Sequence, residues 1–274
     1  MRHFLLDVTV FLLAVLCAVP SSVAMVYGDD DRRQQTYQDI YGWKDVGIIM
    51  AGRHVGVGTL VLRGDVIVTS AHVIYDNTGM LRASEIVFFP DGDPKKEVKV
   101  DTDRMVAGNK FVQPGLLQDD WILLRLMRDV LADNPNQGFS SRQILPVNDL
   151  NFDEIKNEIV HVSFDFRRRP FRKLINRSCR LHTKKPGDMF WGTRSILLHN
   201  CDLARPDNSG LLIFYSGGDV SYLIGIHQGG HKDFYGAEFD PRINPNFAFG
   251  LDDKFENALG AFIKDMENYT STDH

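Results

Sequence analysis

Three short stretches of this chain hold side chains that can do nucleophilic chemistry together. The first is Thr69-Ser70-Ala71-His72, which follows the β-rich run from Leu60 to Val68. An imidazole just past a strand end is held still, and it can take up a proton and return it. The second is Gln118-Asp119-Asp120-Trp121-Ile122-Leu123-Leu124. An acid directly before an apolar strand stands at the strand mouth, where it can accept a ring N–H and set the tautomer. Asp120 abuts the strand and is the assigned orienting acid; Asp119 is the fallback. The third is Asp207-Asn208-Ser209-Gly210-Leu211-Leu212. A serine in a tight turn beside glycine exposes its hydroxyl and aims its backbone N–H inward, as a nucleophile beside an oxyanion hole requires. Singly, each stretch also reads as ordinary loop or turn chemistry. Together they place His, Asp and Ser in an order that builds a catalytic triad.

Short strands must position these groups. Val46 to Met50, Val55 to Leu60, Val66 to Thr69, Ile86 to Phe89, Glu97 to Val100, Arg104 to Ala107 and Trp121 to Leu126 are apolar or alternating. The more polar stretch from Arg128 to Arg142 reads as a connection. A second set follows at Glu158 to Phe164, Ile175 to His182, Ser195 to His199, Leu211 to Tyr215 and Tyr222 to His227, with a short run at Phe247 to Phe249. Strands this short, separated by Gly, Pro, Asn and Asp turns, indicate an all-β sandwich or barrel. Two β halves of similar size point to a duplicated architecture. Lys254 to Asn268 differs: Phe255, Leu259, Phe262, Ile263 and Met266 fall on one face of a helix, expected to pack on the second half.

The bulk composition agrees with a globular domain. The 274 residues are 43% hydrophobic and 24% charged, with a net charge of −5. No basic face argues for a nucleic-acid partner. The run Arg167-Arg168-Arg169, continuing through Arg172 and Lys173, reads as a solvated hairpin tip. Residues 1–24 have a short positive start, an apolar stretch and small residues before Met25, the pattern of a signal peptide cut after Ala24. The mature chain, 25–274, is then exported, with no lasting membrane association. Cys179 and Cys201 remain after that cut, and two cysteines in an exported chain suggest one disulfide. Closing a loop of about 20 residues stabilises a fold by roughly 3 kcal/mol. No CxxC or HxxxH spacing accompanies them, so no metal site is expected.

Thr69-Ser70-Ala71-His72, Asp120-Trp121-Ile122-Leu123-Leu124 and Asn208-Ser209-Gly210 resemble the three catalytic motifs of the chymotrypsin/trypsin-like serine proteases. The likeness covers nearly all the mature chain and looks closest to the secreted bacterial-type glutamyl endopeptidase branch. Gly28-Asp29-Asp30-Asp31-Arg32 resembles that branch's mature start, and Gly225-Ile226-His227-Gln228-Gly229-Gly230 its specificity strand. Cys201-Asp202 ahead of the serine loop is similar to many bacterial-type members. The resemblance implies two packed six-stranded antiparallel β-barrels, at about 40–130 and 143–250, with a closing helix at 254–268 and the site between the barrels. It implies a secreted, monomeric serine endopeptidase acting on protein or peptide substrates without a cofactor. His72, Asp120 and Ser209 are then catalytic, and the backbone N–H groups of Asp207 and Ser209 form the oxyanion hole. His227 aligns with the histidine that the branch uses for an acidic P1 side chain, and Ala204 and Arg205 are further pocket or rim residues.

The chain also departs from the pattern. Leu203 occupies the position where a trypsin-like enzyme carries its acid, which argues against cleavage after Lys or Arg. Asp207 replaces a glycine two residues before the serine, and Leu211-Leu212 replaces a small residue and proline. Asn208 stands where trypsin zymogens carry the aspartate that pairs with a new N-terminus, so that activation switch is not expected. A carboxylate near a forming oxyanion opposes catalysis unless it points away. Asp207 therefore motivates the alternative reading, a protease-like fold that serves as a binding or adhesion module.

Overall fold

In the first half, alternate side chains point inward and close a barrel. The structure, a computed structural model, describes residues 26–27, 33–34, 43–111, 119–156, 158–167, 169–177, 179–202, 210–215, 221–230 and 235–270. The predicted signal segment, 1–24, lies outside them. Strands β1 (Val46–Ala51), β2 (His54–Leu60), β3 (Val66–Thr69), β4 (Ile86–Phe89), β5 (Val98–Ala107) and β6 (Ile122–Leu126) form a closed barrel in the order β1-β2-β3-β6-β5-β4. Ile49, Leu60, Ile67, Phe88, Ile122 and Leu124 fill its interior. The alternating partners Ile48, Val66, Val68 and Leu123 face the other way and join the core shared with the second half. Period-2 patterning thus serves two cores at once.

The second half is a nine-stranded sheet. Its main strands are β7 (Ile159–Asp165), β8 (Arg172–Asn176), β9 (Leu181–His182), β10 (Ile196–His199), β11 (Gly210–Tyr215), β12 (Ser221–Gly230) and β13 (Asn246–Gly250). They run in the order β9-β10-β13-β12-β11-β7-β8, with Arg33–Gln34 added on β8 and Gln143–Ile144 on β12. Taken as one bent strand, β8 and β9 give this sheet the neighbour pattern of the first barrel. The sequence reads 175–182 as continuous, but the ladder breaks between them: β8 pairs with β7, and β9 pairs with β10. The bend lies at Cys179, which is disulfide-bonded to Cys201 just past β10, with a Cα separation of 4.4 Å. The predicted crosslink therefore stands at the seam of the second barrel.

Among the described residues, the chain is all-β apart from short helical turns, α1 (Ala71–Ile74) among them, and one closing helix, α2 (Asp253–Thr270). Phe255, Leu259, Phe262 and Met266 are buried, as their spacing predicts. Contrary to expectation, α2 is not confined to the second half. Phe255 packs edge-on against Trp121 at 5.1 Å, and Lys254 Nζ meets Asp119 Oδ2 at 2.7 Å. The helix therefore clamps both halves. Among the described residues, no helix is long and apolar enough to cross a membrane.

Two buried ionic contacts also tie the halves together. Arg142 donates from Nη2 to Asp45 Oδ1 at 2.6 Å and from Nε to Asp45 Oδ2 at 2.7 Å, and it reaches Ser221 Oγ at the start of β12. Thr59 Oγ1 donates to the same carboxylate. Lys173, expected on a solvated tip, is instead buried, and its Nζ donates to Trp43 O and Asp91 Oδ1, both at 2.6 Å. Burial pulls its pKa below the usual lysine range, against the opposing pull of Asp91. Because Asp45 is fully buried, Arg142→Ala strands a carboxylate in the interior and is expected to cost about 3–5 kcal/mol in urea unfolding. The paired change Asp45→Leu with Arg142→Met should recover most of that loss. Equal stability of Arg142→Ala and the unaltered protein would show that the pair is not what joins the halves.

Candidate active site

The strand β3 delivers His72 directly. Thr69 ends the strand with its hydroxyl donated to Val57 O at 2.8 Å, Ser70 is buried, and α1 carries His72 in its first turn. Arg82 Nε caps this turn from outside by donating to His72 O at 3.0 Å. Opposite, Asp120 lies at the mouth of β6, with its side chain 3% exposed. It holds the histidine twice. Its Oδ1 accepts the backbone N–H of His72 at 2.9 Å, and its Oδ2 lies 2.7 Å from His72 Nδ1. A buried carboxylate bonded at Nδ1 places the proton there and leaves the lone pair on Nε2. The His72 side chain remains 24% exposed, so the ring is fixed on one edge and accessible on another.

Asp119 does not compete for this role. Its backbone is left-handed at φ 64°, which turns its side chain to Lys254 on α2. The two adjacent acids thus divide the work: one orients His72, and the other anchors the closing helix. Gln228 from β12 crosses the interface and donates from Nε2 to Asp120 O at 3.2 Å. Ser70 Oγ also reaches His227 O, at 3.5 Å. The strand β12 therefore runs directly beside the His72–Asp120 pair. Ser209, Asp207 and Ala204 lie outside the described residues. Gly210, the residue after Ser209, is described, and it pairs with His227 in the β11–β12 ladder. Gly210 thus begins the strand paired with the one that touches Ser70 and Asp120.

His227 is the centre of a group that sequence reasoning missed in part. His161 on β7 and His199 on β10 are buried with it. The His199 and His227 rings meet edge to face at 5.2 Å, and His161 meets His227 likewise at 5.6 Å. Their protons can be assigned from fixed donors. The N–H of Cys201 donates to His199 Nδ1 at 3.2 Å, so the His199 proton is on Nε2. That Nε2 lies 3.1 Å from His227 Nδ1, which must accept. The remaining proton of His227 is then on Nε2, a buried N–H with no hydrogen-bond partner among the described residues. Glycine at 210 has a specific reason: a Cβ there would come within 2.2 Å of His161 Nε2. The only advance sign of His161 and His199 was polar rings at inward positions of apolar strands.

Burial holds His199 and His227 well below the usual histidine pKa, and the neighbouring imidazoles push the same way. Both are neutral in the folded protein, whereas the unfolded chain protonates them below a pH of about 6.5. Between those values the unfolded state binds more protons, so stability falls as pH falls, by about 1.4 kcal/mol per pH unit for each histidine. The melting temperature should therefore drop steadily from pH 6.5 to pH 5. A flat profile over that range would contradict neutral burial.

No family model matches the chain, and no curated protein sequence matches it. Solved structures do. A Glu endopeptidase in complex with MPD aligns with a TM-score of 0.64 at 12% identity, over 89% of this chain and 99% of that one. The thermostable serine protease AL20, from an extremophilic microorganism, aligns with a TM-score of 0.50 at 14% identity, over 77% and 92%. At such identities the likeness shows the fold alone. The chain has the double β-barrel fold of the chymotrypsin-like serine proteases, shared with the Glu endopeptidase over nearly its whole length.

Proposed function

We propose that the protein is a secreted serine endopeptidase that cleaves peptide bonds after acidic residues. The observation that carries this is the doubly bonded Asp120–His72 pair, set at the barrel junction beside the strand that pairs with Gly210. Ser209 is the nucleophile. Its hydroxyl attacks the scissile carbonyl while His72 Nε2 takes the proton, and the backbone N–H groups of Ser209 and Asp207 receive the oxyanion. The imidazolium, stabilised by Asp120, then protonates the leaving amine as the C–N bond breaks. Water enters by the reverse sequence: His72 takes its proton, the acyl ester is cleaved, and Ser209 regains its hydrogen. These residues complete the cycle with no cofactor or metal.

The acidic preference rests on His227. Its neighbours commit its proton to Nε2, so it presents a donor and not a lone pair. A buried N–H without a partner among the described residues favours a ligand that accepts, and a carboxylate accepts best. The disulfide and the signal-like N-terminus support export. A fluorophosphonate probe tests the core of the reading, because it reacts only with an activated serine. The mature protein should be labelled, and Ser209→Ala should not be. Absence of labelling in folded protein would instead favour the binding-module alternative that Asp207 raises.

A further inference from the structure

Beside strand β10, and lined in part by His182, lies a cavity of about 440 Å³. Leu197 on β10 lines it, two residues before His199 on the same strand. Val147, Phe152 and Trp191 supply further apolar walls. The polar side is basic: Lys184 and Arg194 both line the space, and no carboxylate does. The nearest acids bond to residues of the cavity wall and of its rim, and not to Lys184 or Arg194. Asp188 Oδ2 accepts from His182 Nε2 at 2.8 Å and from Lys185 N at 2.7 Å, and Asp253 Oδ1 accepts from Asn148 at 2.7 Å.

The loop that forms the outer wall is held in shape. Trp191 N donates to Asp188 O, Thr193 N to Phe190 O, and Met189 N to Pro241 O, while Phe190 packs against Phe247 at 5.3 Å. Phe190, Gly187 and Gly192 adopt positive φ, which fixes the turns that present Trp191. Lys184 Nζ is anchored on the carbonyls of Phe190 and Thr193. Burial lowers its pKa, a cost that a bound anion would reverse. Arg194 is exposed and forms no ion pair among the described residues. Trp191 is 55% exposed, so its ring is open to a ligand in the cavity that it lines.

We infer that this cavity is a binding site for an amphipathic carboxylate, with its apolar body between Phe152, Leu197 and Trp191 and its carboxylate on Arg194 and Lys184. The volume falls within the range of small-ligand pockets. The site is separate from His72 and does not depend on the peptidase reading, so it can be tested in the Ser209→Ala protein.

Decanoate is a suitable probe. Trp43 and Trp121 are 3% and 1% exposed, so a change in tryptophan emission on titration reports Trp191. Saturable binding at or below about 1 mM is expected for a ligand of this size. Decanol, which lacks the charge, should bind about 10- to 150-fold more weakly, the worth of one hydrogen bond to a charged group. Arg194→Gln alone, and with Lys184→Gln, should bring decanoate toward the affinity of decanol. Calorimetry on Trp191→Phe should still detect binding while the emission change is lost. No saturation by about 10 mM, equal binding of decanol, or unchanged affinity in both charge variants would overturn the inference.

Discussion

Asp120→Asn is expected to lower kcat on a peptide substrate by about four orders of magnitude while leaving the fold and KM nearly unchanged. The reason lies in the two oxygens. Oδ1 takes the backbone N–H of His72 and Oδ2 takes its ring at Nδ1. Asparagine keeps one acceptor and gains an NH2. With its oxygen on the backbone N–H, its amide must donate to Nδ1, which then carries the lone pair. The proton moves to Nε2, and the ring can no longer accept from Ser209. The substitution thus changes a tautomer and not a contact. Asp119→Asn is the matched control: it loses a contact with Lys254 on α2 and should retain activity within about threefold, since exposed ion pairs contribute little. A loss of less than tenfold in Asp120→Asn, with unchanged melting, would remove Asp120 from the orienting role.

How much of this was legible beforehand depends on how local the determinants are. Strand alternation and the helical face of Phe255, Leu259, Phe262 and Met266 are written in neighbouring residues, so they could be read. The motif around Asp120 was also local, because a strand start determines where the acid stands. The choice between Asp119 and Asp120 was harder. It is decided by a left-handed residue and by Lys254, which is 135 residues away. The Asp45–Arg142 pair, 97 residues apart, leaves no local trace, and Lys173 sat in a basic run whose exposed members hid it. Gly210 was read as turn chemistry. Its structural reason is the imidazole of His161, on a strand nearly fifty residues earlier. The histidine group is the extreme case: three strands, each unremarkable alone, bring three rings together only when the barrel forms.

That group makes the second large effect predictable. His227→Ala should lower kcat/KM for a substrate with Glu at P1 by about 10- to 150-fold, the worth of one hydrogen bond to a charged acceptor, and change a Gln substrate far less. The pH dependence of the Glu-to-Gln ratio discriminates further. His227 is neutral in the free protein because burial and the adjoining His199, His161 and His72 all oppose its charge. A bound carboxylate supplies the missing counter-charge and raises the pKa of His227, so binding takes up a proton. A ligand that favours the protonated form binds more tightly as pH falls. The ratio should therefore rise as pH falls, because His227 is neutral in the free protein and only the complex with the Glu substrate takes up the proton. His199→Phe should flatten this rise. Without the His199 N–H, nothing commits Nδ1 of His227 to accept, and its proton is no longer held on Nε2. A ratio independent of pH and unaltered in both variants would detach the histidine group from substrate choice and leave it as core packing.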